Sequence, residues 1–216
     1  MPHTARCCAA SVKSFTARSP WASKVDSRTS SRAQPDLLAQ HCAEAGLVDN
    51  AVAYWLKAGQ RSVARGAMVE AVAQLRKGLH LLPGVADSTV QQEQELNLQI
   101  ALGNAQTATK GYSAPEPGQA FARARQLCDE LHRSAKLGSV LRGQFVYYLV
   151  RGDLEQAQHL ADELRDLGEA NNDVMWKCFG SIYQGNVAGW VGKFAEARAY
   201  YENALSLWDP KYSAFS

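Results

Sequence analysis

The chain has 216 residues, 46% hydrophobic and 20% charged, and no apolar run approaches the length of about 18 residues that a membrane-spanning helix requires. Its net charge of +2 is unevenly placed: residues 1–33 carry six Lys or Arg against one Asp, which leaves residues 34–216 with 17 basic and 20 acidic groups. That mildly acidic body lacks the basic footprint of a nucleic-acid binder, and five cysteines without a CxxC pair argue against a closed disulfide framework, so a cytoplasmic setting is expected.

Residues 1–33 hold seven Ser and three Thr with no helical period and read as disordered. The composition also fits an organelle transit peptide, although it lacks an amphipathic face, and it fits the start of a truncated reading frame equally well. Cys7-Cys8 has no His or Cys following at ligand spacing and reads as a plain exposed pair.

At Pro35 the pattern changes. Pro35-Asp36 opens a helix whose apolar residues Leu37, Leu38, Cys42 and Ala45 lie on one side, with Gly46 at its end. A second helix carries Val52, Trp55, Leu56, Gly59 and Val63 as far as Gly66. A third carries Val69, Val72, Leu75, Leu79 and Leu82 and stops at Pro83-Gly84, because proline cannot extend the hydrogen-bond ladder.

A long helix is predicted from Val90 to Thr109. In residues 110–118 (KGYSAPEPG), two Pro and two Gly predict an extended break, with Tyr112 a candidate contact residue in it. Helix resumes at Gln119, a link is expected at 132–136, and further helices are expected at 137–150, 153–167, 174–191 and 193–208, with a turn at 168–173. The last helix is expected to bury Phe194, Ala197, Tyr201, Ala204 and Leu205, and 211–216 form a tail. No period-two run stands out between Pro35 and Pro210, so the fold is predicted to be all-α.

A Gly-x4-Ala spacing punctuates this series at Gly46/Ala51, Gly66/Ala71, Gly152/Ala157 and Gly192/Ala197. Glycine ends a helix in the left-handed conformation at least cost. An alanine five residues on lies one turn into the next helix, where a larger side chain would force the pair apart. The reading is an array of antiparallel helical hairpins near 52–83, 91–132, 138–171 and 178–210, within a body at 34–210.

The offsets resemble those of the tetratricopeptide repeat, a helix-turn-helix unit of about 34 residues. Trp55, Ala58, Gly59, Ala71, Leu75, Gly78 and Pro83 carry the likeness in one hairpin, and Gly185, Gly192, Ala197, Tyr201, Ala204 and Pro210 in the last. The hairpin at 138–171 keeps Leu141, Tyr148, Gly152, Ala157, Ala161 and Leu164 but has Phe145 where a small residue is usual. The region 91–132 fits only with an insertion in its turn. The resemblance implies a right-handed superhelix, a solenoid whose concave face is made by the first helix of each repeat.

A narrower resemblance rests on the phrases PDLLAQHCAEAGLVDNAVAYWLKAGQRSVARGAMVEAVAQLRKGLHLLP and LNLQIALGNAQTATKGYSAPEPGQAFARARQLC. They look like the helical region of large bacterial proteins that join a class III adenylate/guanylate cyclase domain to a signalling ATPase and then to tetratricopeptide repeats. The resemblance implies a non-catalytic interaction or regulatory module, with a cyclase or ATPase domain among its partners. The alternative is a fragment of such a cyclase or nucleoside-triphosphatase, named for an activity whose residues are not in this chain.

Carried over residue by residue, the concave face of the first repeat is Ala53, Leu56, Gln60, Val63 and Ala64. Ser139, Arg142, Val146, Leu149 and Val150 follow in the third, and Phe179, Ile182, Asn186, Gly189 and Trp190 in the last. Of these, Leu56, Gln60, Val63, Arg142, Val146, Leu149, Phe179, Ile182, Asn186 and Trp190 are the candidate partner-binding residues. Such a lining suits an amphipathic helix or an extended peptide. The competing reading packs Leu56, Val63 and Val146 against neighbouring helices.

No catalytic, metal or cofactor-binding residue is expected. The five His are scattered without an HExxH, and there is no GxSxG and no GxxxxGK[ST] phosphate loop. The acidic positions have bland explanations: Glu95 as a charge near a helix start, and Asp162 as an i,i+3 partner of Arg165. Repeat arrays need polar caps, and the apolar last hairpin suggests self-association.

Overall fold

The computed structural model describes residues 34–132 and 134–208, so the expectations for residues 1–33 and 211–216 fall outside it. Among the described residues the chain forms nine α-helices and no strand: α1 Pro35–Glu44, α2 Val48–Ala64, α3 Met68–Leu81, α4 Ser88–Lys110, α5 Pro115–Glu130, α6 Ser134–Arg151, α7 Leu154–Ala170, α8 Val174–Trp190 and α9 Phe194–Leu207. The all-α reading holds.

Four turns share one geometry. Gly46, Gly66, Gly152 and Gly192 have φ of 73, 77, 80 and 80°. In each, the N–H of the next residue reaches back five residues to a helix carbonyl: Leu47 to Cys42, Ala67 to Ser62, Asp153 to Tyr148 and Lys193 to Ala188, at 2.9–3.0 Å. This bond satisfies a carbonyl that the helix end leaves unpaired, and the left-handed residue makes it reachable. The alanines that follow, Ala51, Ala71, Ala157 and Ala197, are all buried.

The α7–α8 turn departs from the predicted 168–173. α7 runs through Gly168 to Ala170, and Asn172 is the left-handed residue (φ 50°), with Asp173 N–H bonded to Gly168 O at 2.8 Å. Asparagine tolerates that conformation, and Asp173 caps α8 by accepting from the Met175 and Trp176 N–H groups. Gly168 is instead a point of close helix contact.

The predicted break at 110–118 shrinks to 111–114. Lys110 closes α4, and Pro115 and Pro117 lie in the first turn of α5. There the backbone N–H groups have no intrahelical acceptor, so two prolines forfeit nothing, and the ring fixes φ at a helical value. The link expected at 132–136 is likewise shorter, since α6 begins at Ser134.

Consecutive helices pack on one another, and the even-numbered ones also touch in succession: α2 with α4, α4 with α6, α6 with α8. The hydrophobic residues gather in separate clusters along this order. Ala39, Trp55 and Ala58 join α1 to α2. Val52, Leu75, Leu98 and Leu102 join α2, α3 and α4. Leu96, Leu127 and Val140 join α4, α5 and α6, and Leu141, Phe145, Leu164 and Tyr183 join α6, α7 and α8.

Polar ties add register. Arg123 grips Glu95 through Nε and Nη2 at 2.7 and 2.9 Å, fixing α5 on α4. Arg125 holds Glu163 of α7 at 2.9 and 2.6 Å. Glu95 is thus an interhelical partner rather than a charge at a helix start. Asp162 accepts from Gln158 and Gln184, while Arg165 reaches Asp166 and Glu169.

The last helix corrects another expectation. Ala197 and Ala204 are buried against α8, but Phe194 is 74% exposed, Leu205 72% and Tyr201 38%. No described helix packs on the outer side of α9.

Candidate functional site

Because the even-numbered helices share a face, their outward residues line a common depression. A cavity of about 340 Å³ is lined by Gln60 and Val63 of α2, Asn97, Ile100, Ala101 and Asn104 of α4, and Ala135, Lys136 and Ser139 of α6. A second, of about 240 Å³, is lined by Asn104 and Thr107 of α4, Tyr112, Phe121 of α5, Arg142, Gly143, Val146 and Tyr147 of α6, and Tyr183 of α8. Asn104 borders both, so the two are neighbours along α4.

The predicted residues divide. Gln60 and Val63 fall in the first cavity and Arg142 and Val146 in the second. Leu56 and Val63 also pack on the α2–α4 cluster, and Val146 on the α6–α8 cluster. Leu149 is buried in that last cluster and belongs to the core rather than to the groove. Phe179 and Ile182 pack against the same cluster. The Asn186 side-chain oxygen accepts from the Tyr201 hydroxyl at 2.8 Å, tying α8 to α9. Trp190, 58% exposed, stands at the end of α8 away from both cavities.

The sequence reading missed α4, which supplies the middle of the groove. A repeat opened at Gln91 sets the register five residues early. Gly103 is the signal: a Cβ there would meet the Phe121 ring at 2.8 Å, as one at Gly59 would meet Leu75 at 2.5 Å and one at Gly185 would meet Tyr201 at 2.7 Å. Aligning these three glycines puts Asn97, Ile100, Asn104 and Thr107 at the groove positions. The extra residues then fall in the 111–114 turn, from which Tyr112 reaches the second cavity.

Tyr183 forms the floor of that cavity. Its ring stacks on Phe145 with centroids 4.0 Å apart and planes 1° from parallel. Burial raises its phenol to about 12, against a smaller opposing effect of Arg142. The unfolded chain ionises this group near its ordinary value of about 10 and the folded chain only near 12, so stability is fully present below pH 10 and falls between 10 and 12. Tyr183→Phe should remove roughly 2–3 kcal/mol of that alkaline loss, read from urea titrations at pH 9 and pH 12. An unchanged loss in the variant would assign it elsewhere.

Burial raises Cys42, Cys128 and Cys178 above their ordinary value, and Cys178 Sγ donates to Ala204 O at 3.4 Å. Among the described residues no three His, Cys, Asp or Glu stand together as a metal site, and no helix is long and apolar enough to cross a membrane. No protein-family model matches the chain, and no curated protein matches it.

Proposed function

We propose that this chain is a tetratricopeptide-type superhelix that binds a peptide or helix of a partner protein in the groove of α2, α4, α6 and α8. The observation that carries the reading is the adjacency of the two cavities on either side of Asn104, whose lining together draws on four even-numbered helices, α2, α4, α6 and α8. That lining alternates apolar patches, Val63, Ile100 and Val146, with side chains that offer hydrogen bonds, Gln60, Asn97, Asn104 and Arg142. An extended peptide presents backbone donors and acceptors at a short repeat, and side-chain amides answer both kinds. Tyr147, Tyr183 and Phe121 form a pocket for one anchoring side chain. The likeness of residues 35–83 and 96–128 to cyclase–ATPase proteins makes a neighbouring catalytic domain the first partner to try.

The test is selection of a displayed peptide library on the full chain, followed by calorimetry with the enriched sequences. Asn104→Ala with Gln60→Ala, both exposed in the cavity lining, should weaken binding at least about tenfold, or 1.4 kcal/mol, with the thermal midpoint kept. Peptides that bind the variant as tightly as the wild type would place recognition outside the groove.

A further inference from the structure

Three of the hydrophobic clusters are each built from an even-numbered helix, the odd-numbered helix after it, and the next even-numbered one. α8 and α9 are the first two members of another such set, and among the described residues no third member covers them. What stays open on α9 is an ordered stripe. Phe194, Tyr201 and Leu205 are 74, 38 and 72% exposed. At 3.6 residues per turn their directions fall within about 40° of one another.

The same positions in α3 show what such a stripe receives. Counted from the turn glycines Gly66 and Gly192, Tyr201 and Leu205 correspond to Leu75 and Leu79. In α3 these join the cluster that holds Leu98 and Leu102 of the following helix, and Leu75 is buried. The α9 face has the form that accepts a helix.

We propose that it accepts α9 of a second copy, laid antiparallel across a two-fold axis near Tyr201. Charge placement selects this occupant. Arg198 and Glu202 lie on the same flank of the stripe, on either side of Tyr201, with side chains 80 and 59% exposed, and pair within one helix at 2.7 Å. Antiparallel helices bring like flanks together, so Arg198 of each copy meets Glu202 of the other, and the two intrahelical pairs become a ring of four alternating charges. The contact is self-complementary and closes at two subunits.

Sedimentation of the full chain over a wide concentration range tests this. A monomer–dimer equilibrium is expected. Leu205→Glu, at a position out in solvent in the single chain, should raise the dissociation constant about 30-fold or more with the helical circular dichroism unchanged. Phe194→Lys, toward the other end of the stripe, serves as a second disruption should the first variant fold poorly. Arg198→Glu should weaken the dimer roughly threefold or more, and adding Glu202→Arg should restore it. A chain that stays monomeric throughout, a dimer indifferent to Leu205→Glu and Phe194→Lys, or growth into open polymers would each overturn the assignment.

Discussion

Phe145→Ala is expected to destabilise the chain by about 3–5 kcal/mol, the largest loss of any single substitution in the groove-forming helices. Phe145 is 1% exposed, sits where α6, α7 and α8 meet, and stacks on Tyr183 at 4.0 Å. Its removal forfeits transfer energy, leaves a cavity, and ends an aromatic stack contributing roughly 0.5–1.5 kcal/mol. The direction is informative because Gly59, Gly103 and Gly185 occupy the equivalent place in the other hairpins. A small residue at 145 would match the other hairpins and leave the protein less stable. Chemical denaturation followed by circular dichroism checks this, and a loss under about 1 kcal/mol would mean that α8 collapses into the space.

The second large effect runs against helix propensity. Gly→Ala inside a helix ordinarily gains up to about 1 kcal/mol. At Gly168 a Cβ would lie 2.5 Å from the Lys177 backbone N, and at Gly180 it would lie 2.7 Å from Arg165 Cα. Backbone cannot swing aside as a side-chain tip can, so α7 and α8 must separate along their length. Gly168→Ala and Gly180→Ala should therefore each cost about 1–3 kcal/mol. Gly189 lies in α8 as well but has nothing within 4 Å of its Cβ position, so Gly189→Ala should stabilise by roughly 0.5–1 kcal/mol. Unfolding midpoints of the three variants give the answer, and a common sign would refute the close-approach argument.

What the sequence makes legible here is local. Where an apolar stripe ends, a Gly-x4-Ala spacing marks a left-handed helix end and a tight helix start, as at Gly46, Gly66, Gly152 and Gly192, whereas the same spacing at Gly59/Ala64 and Gly103/Ala108 lies inside a helix. Gly168 misleads because a glycine at a helix contact and one at a helix end are the same letter; the distinguishing signs are the Asn-Asn-Asp that follows and the absence of an alanine at 173. Pro115 and Pro117 mislead because proline breaks a helix in its middle and begins one at its edge. Periodicity places Phe194 and Leu205 on an apolar stripe of α9, but it cannot say whether a neighbour covers that stripe. Of the two cavities' lining, Gln60, Val63, Arg142 and Val146 are reached by counting offsets, whereas Asn97 and Asn104 need the register that Gly103 sets by its contact with Phe121.

The separate hydrophobic clusters have a mechanical consequence. A molecule with one shared interior resists tension until it fails at once, since every element leans on the same interior. Here the interiors follow one another along the chain, and α2, α4 and α6 are each the joint between two of them. A pull on the two ends passes through every joint in turn, so the weakest hairpin yields while the rest keep their form. Such a chain lengthens under load by degrees, and the segments still folded can draw it back.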